Sequence, residues 1–319
     1  MAFGDVVGHQ RPVQILRRAI EGGRIHHAYL FTGEEGIGKR MVALNMAKAL
    51  NCVNQQGDAC DECLSCQRID KGVHPDIILI NPTGESIKIG QIRELQQAIA
   101  FKPYEARWRV IIMDGAERMT REAANAFLKT LEEPPGGTTI ILVATAVEGL
   151  PATVISRCQR IRFNPLNPEE VRKILSDRLA AEEIDILASL IGGSPGRAVQ
   201  MDCEEVAKTK AVLLSALSPS LVKRLHSAQD LARYEGRGRM FLEILGGWIR
   251  DIIVYQETQD EELLLNRDLT NEIKKVALQQ RTDGLLGDFW HLLHVQQGIE
   301  AHGNLQLSLE SALLAMKGS

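Results

Sequence analysis

The chain has few aromatic residues, no excess of basic ones and no long apolar run, and each lack argues against a class of function. Phe, Trp and Tyr make up 4% of its 319 residues, too few for the stacking platforms that hold single-stranded nucleic acids. The formal net charge is −4, whereas a protein whose main task is gripping phosphates gains its affinity from cations that displace counterions. Any role on DNA is therefore expected through an assembly. No apolar stretch approaches the length needed to span a bilayer. The opening MAFGDVVGHQRP lacks the basic-then-apolar pattern of a signal peptide. A cytoplasmic location without membrane contact is expected.

Cysteine is scarce too, but unevenly so. Four of the six crowd together as Cys52, Cys60, Cys63 and Cys66, with Cys158 and Cys203 standing alone. In a cytoplasmic protein such clustering points to a metal rather than to disulfides. The pattern C-x7-C-x2-C-x2-C supplies four soft ligands that can converge on one tetrahedral ion, and Gly57 and Asp58 favour the loop that returns Cys52 to the others. Structural Zn²⁺ is the expected occupant; an iron–sulfur cluster or a redox dithiol shares the ligand type, but nothing else supports either. With all four positions taken by protein, no catalytic coordination site is left. Cys158 and Cys203 read as small apolar residues. The eight histidines show no metal spacing, and His26-His27 reads as a surface turn.

The first half alternates short β-branched runs with helical patterns. Ala28–Thr32, Asp76–Ile80, Arg109–Met113, Thr139–Ala144 and Arg160–Phe163 read as strands of a parallel sheet covered on both faces. Ala124, Phe127, Leu128 and Leu131 form one face of a helix that Pro134-Pro135 stops. Near Asn164–Pro168 the character changes: two prolines suggest a linker, and no strand pattern follows. Pro168–Asp202 reads as a small helical unit around the turn Gly192–Gly196, and Arg239–Tyr255 and Leu285–Ile299 as long amphipathic helices. The expected division is 1–163 for an α/β core with the cysteine module at about 51–68, 164–203 for a helical lid, and 204–319 for an all-α domain.

Gly33-Glu34-Glu35-Gly36-Ile37-Gly38-Lys39-Arg40 follows the first strand and opens the helical pattern Met41–Leu50. That is the setting of a P-loop, in which backbone N–H groups and a helix N-terminus cradle phosphates and the lysine reaches the terminal ones. The residue after the lysine should be Ser or Thr to ligate magnesium; Arg40 carries a positive charge and has no acceptor. A second departure follows the strand that ends at Asp114. That aspartate stands where one would hold magnesium through water, but the catalytic glutamate expected next is Gly115. Glu117, three positions along, is expected to face elsewhere if the segment is helical. Phosphoryl transfer depends on positioning and charge stabilisation, so negligible ATPase activity is expected and ATP binding is in doubt. The bland alternative is that the loop persists as a structural strand-to-helix connection.

These residues, with several blocks further along, resemble the AAA+ subunits of bacterial DNA polymerase III clamp loaders, most nearly the delta-prime branch of that family. The resemblance covers most of the chain. It rests on Phe101–Tyr104 (FKPY), Asp114–Thr120 (DGAERMT), Ala123–Pro135 (AANAFLKTLEEPP), Ala144-Thr145, Ser156-Arg157-Cys158, Ser194–Ala198 (SPGRA) and Asn304–Glu310 (NLQLSLE). It implies an AAA+ core with a zinc module at the insertion, a helical lid and a C-terminal helical collar. It also implies Thr145 at the sensor 1 position and Arg197 at sensor 2, where a nucleotide contact and a structural bridge are both open. Arg157 of the SRC motif would be an arginine finger pointing into a neighbour's ATP site, a role that suits a permanently charged, forked cation. The implied partners are the gamma/tau and delta subunits, with the sliding clamp and primed DNA met through the complex. Two other readings are an active gamma/tau-like motor, which Arg40 and Gly115 argue against, and a plain DNA-binding module, which charge and aromatic content disfavour.

Overall fold

The computed structural model describes residues 2–54, 57–216 and 220–316. Residues 1 and 55–56 of the expected core and cysteine module, and 217–219 and 317–319 of the expected C-terminal domain, lie outside the described residues. By its internal contacts the chain divides into two compact units, Met1–Glu170 and Val171–Ser319.

In the first unit five parallel strands form one sheet in the order β2-β3-β4-β1-β5. They are β1 (Ala28–Thr32), β2 (Ile77–Ile80), β3 (Arg109–Asp114), β4 (Thr138–Ala144) and β5 (Gln159–Arg162), so all five expected strands are present. The start of β2 differs from expectation because Asp76 is occupied otherwise. Its buried carboxylate accepts the backbone N–H groups of Tyr104, Glu105 and Ala106 at 2.8, 2.8 and 2.9 Å. Helices α1 (Gln10–Glu21), α2 (Lys39–Asn51), α3 (Leu64–Asp70), α4 (Ile89–Ala98), α5 (Arg121–Glu132) and the short α6 (Ala152–Ile155) complete the unit.

The strand alternation sorts the core into two layers. Tyr29, Phe31, Val110, Ile112, Ile141, Val143 and Ile161 meet Leu16 of α1 and Val42 and Met46 of α2 on one face. Leu30, Ile111, Met113, Ile140 and Leu142 meet Ile92 and Leu95 of α4 and Phe127 and Leu131 of α5 on the other. Each such side chain, fully buried, contributes about 1.5–3 kcal/mol, so both faces of the sheet are closed with apolar material. Helix α5 starts where the Thr120 hydroxyl accepts the Ala123 N–H, and it stops before Pro134.

The second unit is all helix: α7 (Pro168–Leu175), which straddles the boundary, α8 (Ala181–Ile191), α9 (Pro195–Ala198), α10 (Cys203–Ala216), α11 (Leu221–Ala232), α12 (Glu235–Thr258), α13 (Thr270–Ala277), α14 (Thr282–Glu300) and α15 (Leu305–Ala315). The two long amphipathic patterns fall inside α12 and α14. Helix α8, in the expected lid, packs on α10 and α12 of the expected collar. The buried Asp251 of α12 braces the loop that precedes α13, accepting the Asn266 N–H at 2.7 Å and the Asn266 side-chain amide at 2.8 Å. Among the described residues no helix is long and apolar enough to cross a membrane.

Candidate functional site

The loop between β1 and α2 has the backbone of a phosphate cradle. Gly33, Gly36 and Gly38 have φ of +149°, +76° and +103°. A Cβ at Gly33 would lie 2.4 Å from the Phe163 carbonyl oxygen, so glycine is demanded there by close approach as well as by angle. The charged side chains around this cradle are engaged by the chain itself. Lys39 is 5% exposed and its Nζ donates to the carbonyl oxygens of Gly33 at 2.5 Å and Glu34 at 2.6 Å. Burial pulls its ammonium below the usual lysine range, against the opposing fields of Asp114, Glu117, Glu35 and Glu34. The Arg40 guanidinium reaches across to the Asp114 carboxylate at 3.5 Å and the Asn81 side-chain oxygen at 3.4 Å. These contacts are long for hydrogen bonds, so the pair is chiefly electrostatic. The Arg40 guanidinium thus faces the Asp114 carboxylate and neutralises part of its charge.

Glu117 is where the structure corrects the sequence reading. Gly115 adopts φ +72°, and the single 3₁₀ turn Ala116–Arg118 that follows brings Glu117 back toward the cradle. Its Oε1 accepts the Thr145 hydroxyl at 2.8 Å, while its Oε2 is buried without a hydrogen-bond partner among the described residues. Gly149 packs against it; a Cβ there would lie 2.9 Å from the Glu117 Cβ. The left-handed turn at Gly115, which no helical extrapolation includes, is the signal that sequence reasoning passed over. Arg197 belongs to the second unit and donates from Nη2 to Glu243 of α12 at 2.8 Å.

Arg157 sits between α6 and β5. Its Nε donates to the Glu132 carboxylate at 2.7 Å, Nη2 forms an ion pair with the same oxygen, and Nη1 donates to the Thr153 carbonyl oxygen at 2.9 Å. Cys158, next in line, packs on the α4–α5 side of the core, and burial pushes its thiol up to about 11. It is an inert apolar filler there.

The four clustered cysteines do converge. The sulfur atoms of Cys52, Cys60, Cys63 and Cys66 all lie within 4.8 Å of one another. A tetrahedral ion with bonds of about 2.3 Å sets its sulfurs about 3.8 Å apart, so the constellation fits a metal after small adjustment. Cys60 accepts the Cys63 N–H at 3.3 Å. Backbone donation from Cys63 and Glu62 draws the Cys60 thiol down to about 6, whereas burial pushes that of Cys66 up to about 12. The module is fastened to the core on two sides. Lys48 of α2, with no exposed surface, donates to Asp61 at 2.5 Å and to Asp70 at 3.2 Å. Asp58 accepts the Phe3 N–H at 2.7 Å and the Arg17 guanidinium at 2.6 Å. None of these tethers is visible in the cysteine spacing.

Comparison with known proteins adds the following. The family model described as "DNA polymerase III, delta subunit" matches residues 8–167, and that described as "DNA polymerase III, delta subunit, C terminal" matches residues 211–318. DNA polymerase III subunit delta-prime of Bacillus subtilis (strain 168) is 30% identical over 315 residues, covering 96% of this chain and 95% of that protein. DNA polymerase III subunit gamma of Buchnera aphidicola subsp. Acyrthosiphon pisum is 37% identical over 184 residues, 57% of this chain and 51% of that protein. DNA polymerase III subunit tau of Escherichia coli (strain K12) is 32% identical over 241 residues, 73% of this chain and 37% of that protein. The last two therefore share only part of their length with this chain.

Proposed function

The chain belongs to the delta-prime family of DNA polymerase III subunits, and from that premise we propose that it is the non-hydrolysing scaffold of a clamp loader, lending Arg157 to the ATP site of a neighbouring gamma/tau-like subunit during replication. The observation that carries the first half is Arg40 on Asp114. A magnesium ion serving a bound nucleotide would have to displace a tethered cation, and no hydroxyl stands at position 40 to hold it. Lys39 gives two of its three donors to Gly33 and Glu34, and Thr145 gives its hydroxyl hydrogen to Glu117, so a phosphate would have to compete for both. Gly33, Gly36 and Gly38 then serve to connect β1 to α2 and keep the ancestral loop shape.

One feature favours a motor: Glu117 lies at the cradle. It accepts from Thr145 and follows a glycine turn instead of standing directly after Asp114, which suits a clasp better than a base. In the scaffold reading the chemistry happens next door. A guanidinium supplied in trans meets charge that grows on the transferring phosphoryl group, a contribution of about 10³–10⁵ in rate where fingers of this kind have been removed. Arg197, paired with Glu243, serves as a structural brace of the helical unit rather than as a nucleotide sensor. Residues 164–203 act as the lid and 204–319 as the collar that joins the other subunits; gamma/tau and delta are the direct partners, and clamp and primed DNA are met through the assembly.

Zn²⁺ held by Cys52, Cys60, Cys63 and Cys66 would cross-link the end of α2, the loop before α3 and α3 itself, and leave no open coordination position. A reducing cytoplasm suits these free thiols.

The test is steady-state ATP hydrolysis by the isolated protein. The expected rate is indistinguishable from buffer. Turnover that disappears in Lys39→Ala would make the chain a motor and overturn the reading.

A further inference from the structure

We propose that Glu132 is a latch on Arg157, holding the guanidinium folded onto its own subunit until a neighbour's phosphate competes it away; this rests on Arg157 being the finger. The argument begins with donors. A guanidinium has five N–H groups in a fixed fork. Here Nε donates to Glu132 Oε1, Nη2 forms an ion pair with the same oxygen, and Nη1 donates to the Thr153 carbonyl oxygen with a longer contact to the Ser156 hydroxyl at 3.4 Å. The Nε–Nη2 edge, the one that would grip a phosphate side-on, is thus turned to Glu132. Releasing Glu132 frees the Nε–Nη2 edge. Thr153 can keep Nη1 throughout, so the finger swings from a fixed base.

The placing of Glu132 strengthens the case. It is the last residue of α5, and Glu133 follows it. The C-terminus of a helix carries partial negative charge and disfavours carboxylates. Two successive acids there run against the helix, and Arg157 is what offsets the first. The pair is half open to water, with side-chain exposures of 34% for Arg157 and 46% for Glu132. Such a pair is weak enough for a multiply charged phosphate to break, yet it biases the guanidinium toward its own subunit. A binding-competent state that is only fractionally populated lowers apparent affinity by that fraction. An exposed pair of this kind shifts the fraction by up to about fivefold. The latch would keep a free subunit from presenting a bare cation to stray anions, and it makes finger engagement conditional on nucleotide next door.

The experiment is ATP hydrolysis by the reconstituted complex of this chain with its cognate motor subunit, delta, clamp and primed DNA, with this chain titrated below saturation. Glu132→Gln keeps the shape and removes the charge. It is expected to raise turnover at limiting subunit by up to about fivefold in low salt, with the gap to wild type closing as salt screens the wild-type pair. Arg157→Ala run alongside separates the two claims. If Arg157→Ala abolishes stimulation while Glu132→Gln matches wild type at all salt concentrations, the finger stands and the latch is wrong. If Glu132→Gln loses stimulation as Arg157→Ala does, Glu132 aims the finger instead of restraining it, which also overturns the latch. Stimulation untouched by Arg157→Ala removes both.

Discussion

Replacing Asp76 tests how the first unit is braced. The carboxylate is 1% exposed, accepts three backbone N–H groups from residues 104–106, and lies 3.5 Å from Arg109, itself 4% exposed. Arg109 in turn donates to the carbonyl oxygens of Ile99 and Phe101 at 3.2 and 2.7 Å. Asp76→Ala leaves three amides without acceptors and a buried guanidinium without its counter-charge. Breaking a buried pair in this way costs about 3–5 kcal/mol. Asp76→Asn keeps one acceptor and should fall between Ala and wild type. Because the chain has two units, a global melt would mix them; native-state hydrogen exchange of the β3 amides Val110–Met113 reports on this unit alone.

The pH dependence has a definite sign. Burial opposes the charge of Asp76, but the amides of Glu105, Tyr104 and Ala106 and the Arg109 charge win, and the net effect holds the carboxyl below its ordinary value. A depressed folded value means that the stabilisation is complete above the ordinary carboxylate pKa of about 3.9 and fades as pH falls through the folded one. Wild type and Asp76→Ala should therefore differ fully at pH 7 and converge only in acid below about pH 4. A difference of less than about 1 kcal/mol at pH 7 would refute the reasoning.

Two further outcomes follow from the site. Zinc analysis of the purified protein should return one ion per chain, and chelation or Cys66→Ser should loosen residues 52–70 in hydrogen exchange while leaving β3 and β4 protected; an iron–sulfur absorbance or no bound metal would contradict the assignment. Arg40→Thr should leave ATP hydrolysis at background, because Gly115 and the Glu117–Thr145 clasp remain; detectable turnover in this single variant would show that Arg40 alone silences the site.

Much of this was legible in the chain before any coordinates. The five strands announce themselves because a sheet buried on both faces needs continuous apolar runs, and the glycine-rich loop after β1 and the converging cysteines because their residue types recur at short, fixed spacing. Most of what stayed hidden depends on side chains meeting across long stretches of sequence. Arg40 and Asp114 lie 74 positions apart, Glu117 and Thr145 28, and Arg157 and Glu132 25. Asp76 read as the first residue of a strand because nothing local reveals that its carboxylate caps residues 104–106. Glu117 was misdirected because one left-handed glycine turns the chain. Periodicity carries information about which face is buried, not about which polar groups satisfy one another.

The central claim is that Arg157 acts on ATP held by another subunit, and it is tested most directly by hydrolysis in the complete assembly. The complex rebuilt with Arg157→Ala at saturating concentration should assemble normally yet lose roughly 10³-fold or more of the turnover at the neighbouring site. Wild-type turnover in that complex would mean that Arg157 is a surface cation paired with Glu132 and nothing more.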